Sequence, residues 1–136
     1  MKKTFLISFV TILYLASCNS SKHSDTIETK ATENGFLLLS TNEFEVKLNS
    51  ESNSQLIDVR TASEFDLGSI ENAKNFDILD GTFQNQLSTL DKSKTVFVFC
   101  AKGGRSNKAS NLLQQAGFNS VIDLKGGYTA WSKVHP

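Results

Sequence analysis

The chain has 136 residues, of which 39% are hydrophobic and 21% are charged, a balance that predicts one soluble globular domain. Its 14 basic and 14 acidic side chains give a formal net charge of zero, which argues against a nucleic acid or an acidic polymer as the partner. Two cysteines and two histidines are too few for a His/Cys metal cluster, so we expect no metal ion and no cofactor.

The first 17 residues predict an export signal. Lys2 and Lys3 precede a mostly apolar run over residues 5–16, which is shorter than the ~20 residues of a membrane-spanning helix. The end of this run, Leu15-Ala16-Ser17-Cys18, resembles the lipobox of bacterial lipoproteins. That resemblance implies cleavage before Cys18, lipidation of Cys18, and a domain held on a membrane of the bacterial cell envelope, in the periplasm or otherwise outside the cytoplasm. An ordinary secretory signal cut nearby is the alternative.

Residues 18–35 are polar and rich in Ser and Thr, which predicts a flexible tether between the anchor and a domain over residues 36–136. If Cys18 carries lipid, Cys100 is left without a partner for a disulfide. An unpaired thiol in an exported protein favours a reactive role, and a buried inert thiol is the alternative.

Short apolar runs alternate with amphipathic segments along the domain, which predicts an α/β fold with a largely parallel sheet. The predicted strands are residues 36–39, 55–59, 75–78, 95–99 and 120–124, with the second, fourth and fifth at the centre. Capping boxes at Ser40/Glu43 and Thr61/Glu64 each predict the start of a short helix. Further helices are expected at residues 83–90, 106–116 and 128–134, the fourth of the five ending at Gly117 and the last following a Gly126-Gly127 turn.

A glycine-rich cationic loop, Cys100-Ala101-Lys102-Gly103-Gly104-Arg105-Ser106, lies between strand 95–99 and helix 106–116. Ligands bind at this position in open α/β sheets, outside the carboxyl ends of the strands. Gly103 and Gly104 let successive N–H groups turn inward as an anion cradle, and the helix N-terminus adds partial positive charge. Together with Lys102 and Arg105, these groups favour a nucleophilic thiolate at Cys100 and attract an anionic substrate.

Five motifs, in order and at suitable spacing over about residues 40–134, resemble those of rhodanese (sulfurtransferase) domains. They are LIDVR at 56–60, EFDLGSIENA at 64–73, VFVFC at 96–100 followed by the loop, LLQQAGF at 112–118 and LKGGYTAW at 124–131. One position departs from the family pattern, because Ser69 stands where the family usually has a histidine. We interpret that histidine as structural in the family, so the chemistry is not affected.

The resemblance implies a small sheet of about five mainly parallel strands flanked by helices, and a persulfide on Cys100 between two half-reactions. In this reaction the thiolate attacks the sulfane sulfur of thiosulfate or of a persulfide, and cyanide or a thiol, which a protein could supply, then removes the sulfur. The predicted substrate-binding residues are Ala101, Lys102, Gly103, Gly104, Arg105 and Ser106. Either Lys102 or Arg105 contacts the sulfonate, and Arg105 alternatively pairs with a carboxylate. Asp58 and Arg60 are expected to support the loop through a salt bridge or turn hydrogen bonds.

Other readings of the loop stay open. Phosphatases with a Cys-X5-Arg loop use a similar cradle, but only four residues separate Cys100 from Arg105 here. A cysteine hydrolase would need a central histidine, whereas His23 and His135 lie near the ends of the chain. A non-enzymatic persulfide carrier or partner-docking module remains a third alternative, because the loop does not specify the second substrate. We expect a monomer.

Overall fold

The structure is a computed structural model that describes residues 35–136. The predicted signal, the lipidation site Cys18 and the tether up to residue 34 lie outside the described residues. Among residues 35–136, no helix has the length and apolar character needed to cross a bilayer.

A five-stranded sheet forms the centre of the domain, and all of its strand pairs are parallel. The strands are β1 (Phe36–Leu39), β2 (Gln55–Asp58), β3 (Lys74–Asn75), β4 (Val96–Phe99) and β5 (Val121–Leu124). Their spatial order is β1-β5-β4-β2-β3, so β5, β4 and β2 occupy the centre. The predicted α/β fold and its central strands are therefore confirmed.

Helices connect the strands, as parallel pairing requires. They are α1 (Thr41–Ser50), α2 (Ala62–Asp66), α3 (Phe83–Gln86) with a following 3-10 turn (Leu87–Thr89), α4 (Gly104–Gln115) and α5 (Gly127–Val134). Both predicted capping boxes are present. The Ser40 N–H donates to Glu43 Oε2 at 2.9 Å, and the Thr61 N–H donates to Glu64 Oε2 at 3.1 Å.

Several predicted boundaries were wrong. Helix α4 begins at Gly104 rather than at residue 106, because only Gly103 takes a left-handed conformation (φ 108°) and Gly104 is already helical. Helix α5 begins at Gly127 rather than at residue 128, although both Gly126 (φ 79°) and Gly127 (φ 60°) have a left-handed backbone. The predicted strand 75–78 is reduced to Lys74–Asn75, since Phe76 and Ile78 leave the sheet and pack in the core.

Alternation along the strands divides the core between the two faces of the sheet. On β4, Val96 and Val98 point to the side covered by α3 and α4, whereas Phe97 and Phe99 point to the side covered by α1 and α5. Cys100 continues the first series, so its thiol lies on the α4 side of the sheet.

Candidate active site

Cys100 lies where the carboxyl end of β4 meets the loop that leads into α4. Every residue of β4 is fully buried, which fixes the position from which the loop starts. The Gly103 N–H donates to Cys100 Sγ at 3.1 Å. Gly103 has a left-handed backbone (φ 108°), which a glycine adopts at little cost.

The loop lowers the pKa of Cys100 below that of an ordinary thiol. Burial is the strongest influence and raises the pKa, since Cys100 is only 1% exposed. Hydrogen bonding by the Ser106 hydroxyl and by the backbone N–H groups of Ser106, Gly103 and Lys102 outweighs that effect. The loop therefore favours the thiolate of Cys100, which is the nucleophilic form.

The N-terminus of α5 holds the loop from the opposite side. The Tyr128 N–H donates to Cys100 O at 2.7 Å, and the Thr129 N–H donates to Ala101 O at 3.0 Å. This approach leaves no space at Gly127, where a Cβ atom would lie 2.3 Å from Cys100 O and 2.7 Å from the Ala101 carbonyl carbon. The absence of a side chain at Gly127 thus allows the backbone of α5 to pack directly against the backbone of the Cys100 loop.

Arg105 forms a bidentate ion pair with Glu64 of α2. Arg105 Nη1 and Nη2 donate to Glu64 Oε2 and Oε1 at 2.6 and 2.7 Å. The hydrogen bond to Arg105 is the main reason that the pKa of Glu64 falls to about 2, and the same pair raises the pKa of Arg105. Of the two roles considered for Arg105, the structure shows the carboxylate pair that ties the loop to α2.

The remaining loop residues differ in accessibility. Lys102 and Gly104 are exposed, Ala101 and Gly103 are half-buried, and Ser106 is fully buried. The Ser106 hydroxyl donates to Gly103 O at 3.1 Å. Lys102 is therefore the exposed cation of the loop, whereas Arg105 is paired with Glu64.

Asp58 and Arg60 form a buried pair beside the site rather than part of the cradle. Arg60 Nη2 donates to Asp58 Oδ2 at 2.6 Å and to Gly68 O at 2.7 Å, and the Arg60 guanidinium lies 4.2 Å from the centre of the Tyr128 ring. Ser69 Oγ donates to the same Asp58 oxygen at 2.7 Å. Within the described residues their side chains bond to each other and to residues 68–69, not to the loop.

Three residues belong to the site's surroundings although sequence reasoning had not placed them there. The sequence predicts Glu64 as a helix cap and Gly127 as part of a turn, and both lie in the rhodanese-like motifs, but neither pattern gives them a role in the site. Asp123 lies in β5 and is 1% exposed, on the same side of the sheet as Cys100. A carboxylate in the middle of the apolar run Val121–Leu124 was the one available signal for it.

Comparison with known proteins places this site in a family. The family model for the rhodanese-like domain matches residues 40–134. The rhodanese-like/PpiC domain-containing protein 12 of Arabidopsis thaliana is 42% identical over 86 residues, which cover 61% of this chain and 29% of that protein. Thiosulfate sulfurtransferase 16 of the same plant is 38% identical over 87 residues, covering 57% of this chain and 72% of the relative.

A solved structure agrees with the fold. The solution structure of the rhodanese-like domain of an Anabaena protein superposes with a TM-score of 0.64 at 31% identity, covering 71% of this chain and 74% of that one. The family match spans the same residues as the five motifs, and the neighbouring fold has the same α/β architecture. The chain therefore belongs to the rhodanese-like domain family, whose relatives include sulfurtransferases.

Proposed function

We propose that this protein is a sulfurtransferase that carries a sulfane sulfur as a persulfide on Cys100. The observation that carries the proposal is the hydrogen bond from the Gly103 N–H to Cys100 Sγ at 3.1 Å. It belongs to a set of donors that lowers the pKa of a thiol against the effect of burial. Such donors stabilise an anionic sulfur, either the thiolate or the outer sulfur of a persulfide. An inert core cysteine stays a neutral thiol and does not need them.

In the first half-reaction the Cys100 thiolate attacks the outer sulfur of thiosulfate. The new Sγ–S bond forms as the S–S bond of thiosulfate breaks, and sulfite leaves with the electron pair of that bond. Sulfite is a stable anion, so no general acid is needed, in keeping with a loop that contains no histidine. A persulfide donor would react in the same way and release a thiolate.

In the second half-reaction an acceptor attacks the outer sulfur and restores the Cys100 thiolate. Cyanide would leave as thiocyanate, and a thiol would leave as a persulfide. The 1% exposure of Cys100 favours slim acceptors and donors, because little of this residue is open to solvent. The exposed Lys102 supplies the positive charge that steers an anionic donor toward the loop.

Intact-mass spectrometry tests both half-reactions directly. Protein incubated with thiosulfate alone is expected to gain the mass of one sulfur atom and to lose it when cyanide is added, with thiocyanate as the product. Cys100→Ser should gain nothing, and Cys18→Ser, the matched control that removes the other cysteine, should load like the wild type. Absence of added sulfur from both thiosulfate and a small persulfide, while Cys100 still reacts with an alkylating agent, would refute the proposal.

Assays of turnover and of aryl phosphate cleavage on the same protein distinguish the alternative functions. A carrier would load sulfur from a persulfide and release it to a thiol, yet show no multiple turnover with thiosulfate and cyanide. A phosphatase would cleave an aryl phosphate at Cys100. The pairing of Arg105 with Glu64 weighs against the phosphatase, since the loop arginine of such an enzyme must face the phosphoryl group.

We also propose that Cys18 is lipidated after removal of residues 1–17, with residues 18–35 as the tether to a domain over residues 36–136. The support is the pattern of residues 2–18, namely two lysines, an apolar run and the lipobox-like end. The domain would then work as a monomer at the surface of a membrane in the bacterial cell envelope, outside the cytoplasm. Membrane fractionation tests this, since Cys18→Ser should move the protein to the soluble fraction.

A further inference from the structure

Asp123 has a buried side-chain carboxyl group whose oxygens lack hydrogen-bond partners among the described residues. It lies in the middle of β5, opposite Leu38 of β1 and Val98 of β4, and it is 1% exposed. Burial of an unpartnered carboxylate is costly, so this side chain must either be neutral or gain a partner when it ionises.

The side chain faces the space beneath the Cys100 loop. Val121 and Val98 lie on the α4 side of the sheet, and Asp123 is two residues beyond Val121 and level with Val98. Cys100 is two residues beyond Val98 on that same side. The helix that covers this face, α4, buries two hydroxyl groups there, those of Ser106 and Ser110.

The Ser106 hydroxyl connects the thiol with the carboxyl group. It donates to Gly103 O at 3.1 Å, and it lies near enough to Cys100 and to Asp123 to lower the pKa of either group when its hydrogen turns toward that group. A hydroxyl has one hydrogen and two acceptor positions. With its hydrogen directed at Gly103 O, Ser106 lies beside Asp123 without completing a bond to it, which accounts for the unpartnered oxygens.

We propose that Asp123 is a positioning residue that sets the direction of the Ser106 hydroxyl and thereby controls how well the Cys100 thiolate is stabilised. Its use in catalysis rests on the proposed sulfur transfer. Its effect on the thiolate does not, because that effect follows from the hydrogen bonds alone.

The two protonation states of Asp123 direct the hydroxyl differently. A neutral carboxyl donates its O–H to Ser106 Oγ, which leaves the Ser106 hydrogen free for the thiolate, an acceptor stronger than a carbonyl. An ionised carboxylate instead competes for that hydrogen and places a second negative charge near the sulfur. The neutral state therefore supports the thiolate, and the ionised state opposes it.

The surroundings place this change near neutral pH. Burial raises the pKa of Asp123 to about 7, against smaller lowering effects of the Ser106 hydroxyl and the Leu124 N–H. The groups that face it are Leu38 from β1, Val98 and Cys100 from the β4 end, and Ser106 and Ser110 from α4. Among these the thiol is the only other titratable group, so the proposed link through Ser106 would couple the titration of Asp123 to that of Cys100.

The thiolate absorbance of the full chain, recorded against pH in a Cys18→Ser background, tests the inference. With Asp123 present the titration of Cys100 should be broad, because ionisation of the carboxyl opposes that of the thiol. Asp123→Asn keeps a neutral donor of the same shape, and it should give a single, steeper step at a pH lower by about one unit. An unchanged titration would overturn the proposal.

Two further variants separate the hydroxyl from a direct effect of charge. In a Ser106→Ala background, the shift caused by Asp123→Asn should shrink to about half or less, since the shared hydroxyl is gone. An equally large shift there would overturn the positioning role. Ser110→Ala is the matched control, because it removes a neighbouring buried hydroxyl that donates to Ser106 O at 2.9 Å and should leave the thiolate titration unchanged.

A measurement on unsubstituted Asp123 covers the case in which Asp123→Asn does not fold. The carbon-13 signal of its carboxyl group should titrate near neutral pH, and the midpoint should fall in Cys100→Ser, because no thiolate then opposes ionisation. A midpoint in the ordinary acidic range, unaffected by Cys100→Ser, would refute the coupling. Neither readout requires sulfur loading, so failure of the proposed function is distinguishable from failure of this inference.

Discussion

Replacement of Gly127 by alanine should displace the Cys100 loop, although Gly127 itself takes no part in the chemistry. The added Cβ would lie 2.3 Å from Cys100 O, 2.7 Å from the Ala101 carbonyl carbon and 2.8 Å from Ala101 O. Ordinary van der Waals contact begins at 3.4 Å, so the loop and the first turn of α5 must separate by about 1 Å. That movement stretches the hydrogen bonds from Tyr128 and Thr129 to the loop.

The magnitude has two parts. Gly127 has a φ of 60°, and a left-handed alanine costs about 1–2 kcal/mol. Relief of the close contact adds about 1–3 kcal/mol, typical of an overpacked site. A displacement of about 1 Å at a catalytic group lowers reactivity by up to about a hundredfold. We therefore expect a loss of about 2–5 kcal/mol in the free energy of unfolding, together with much slower alkylation and sulfur loading of Cys100.

Gly81→Ala provides the matched control. Gly81 also has a positive φ, 82°, but an added Cβ there meets nothing within 4 Å. It should cost only the conformational part, about 1–2 kcal/mol, and leave the reactivity of Cys100 at the wild-type level. Urea unfolding and the rate of iodoacetamide alkylation measure the two effects. Equal stability losses in both variants, with normal Cys100 reactivity in Gly127→Ala, would refute the close-packing argument.

Three further predictions concern the charged groups around the loop. Glu64→Gln should lower the free energy of unfolding by about 1 kcal/mol at neutral pH, a value reduced for solvent screening of this partly exposed pair. Because the pKa of Glu64 falls from 4.5 to about 2, its contribution is complete above pH 4.5 and is lost on acidification toward pH 2, so urea midpoints of wild type and variant should converge over that range. Arg60→Leu should cost about 3–5 kcal/mol in urea unfolding, since it leaves the buried Asp58 carboxylate without its partner, and a loss below 1 kcal/mol would contradict that role. Lys102→Ala should slow sulfur loading from thiosulfate about threefold to tenfold at low salt, with the difference fading at high salt, whereas Lys108→Ala, an exposed control on α4, should match the wild type.

Local signals in the sequence were sufficient to predict which segments form strands and helices and where in the fold the Cys100 thiol lies. The apolar run before Cys100 predicts a buried central strand, and the glycine-rich loop after it predicts an anion cradle at a helix N-terminus. Both capping boxes were recognised from residues three positions apart. These features depend on neighbours within one turn or one strand, and such contacts form wherever the segment lies in the fold.

Contacts between distant parts of the chain needed the tertiary structure. The sequence left two roles open for Arg105, and the choice came from Glu64, which lies 41 positions earlier. One carboxylate there both caps α2 and pairs with Arg105, a double role that a capping pattern cannot reveal. The length of β3 was overestimated because Phe76 and Ile78, two apolar residues of the predicted strand, pack in the core after the strand has ended at Asn75. That packing depends on distant parts of the chain.

The sequence by itself thus determined an α/β domain of the rhodanese-like type with one thiol at the end of a central strand. Only the tertiary structure decided what surrounds that thiol. It placed Gly127 against the Cys100 carbonyl and Asp123 on the same face of the sheet, beside Ser106. Backbone contacts and buried polar clusters depend on how strands and helices meet in space, because the side chains involved carry no periodic pattern along the chain.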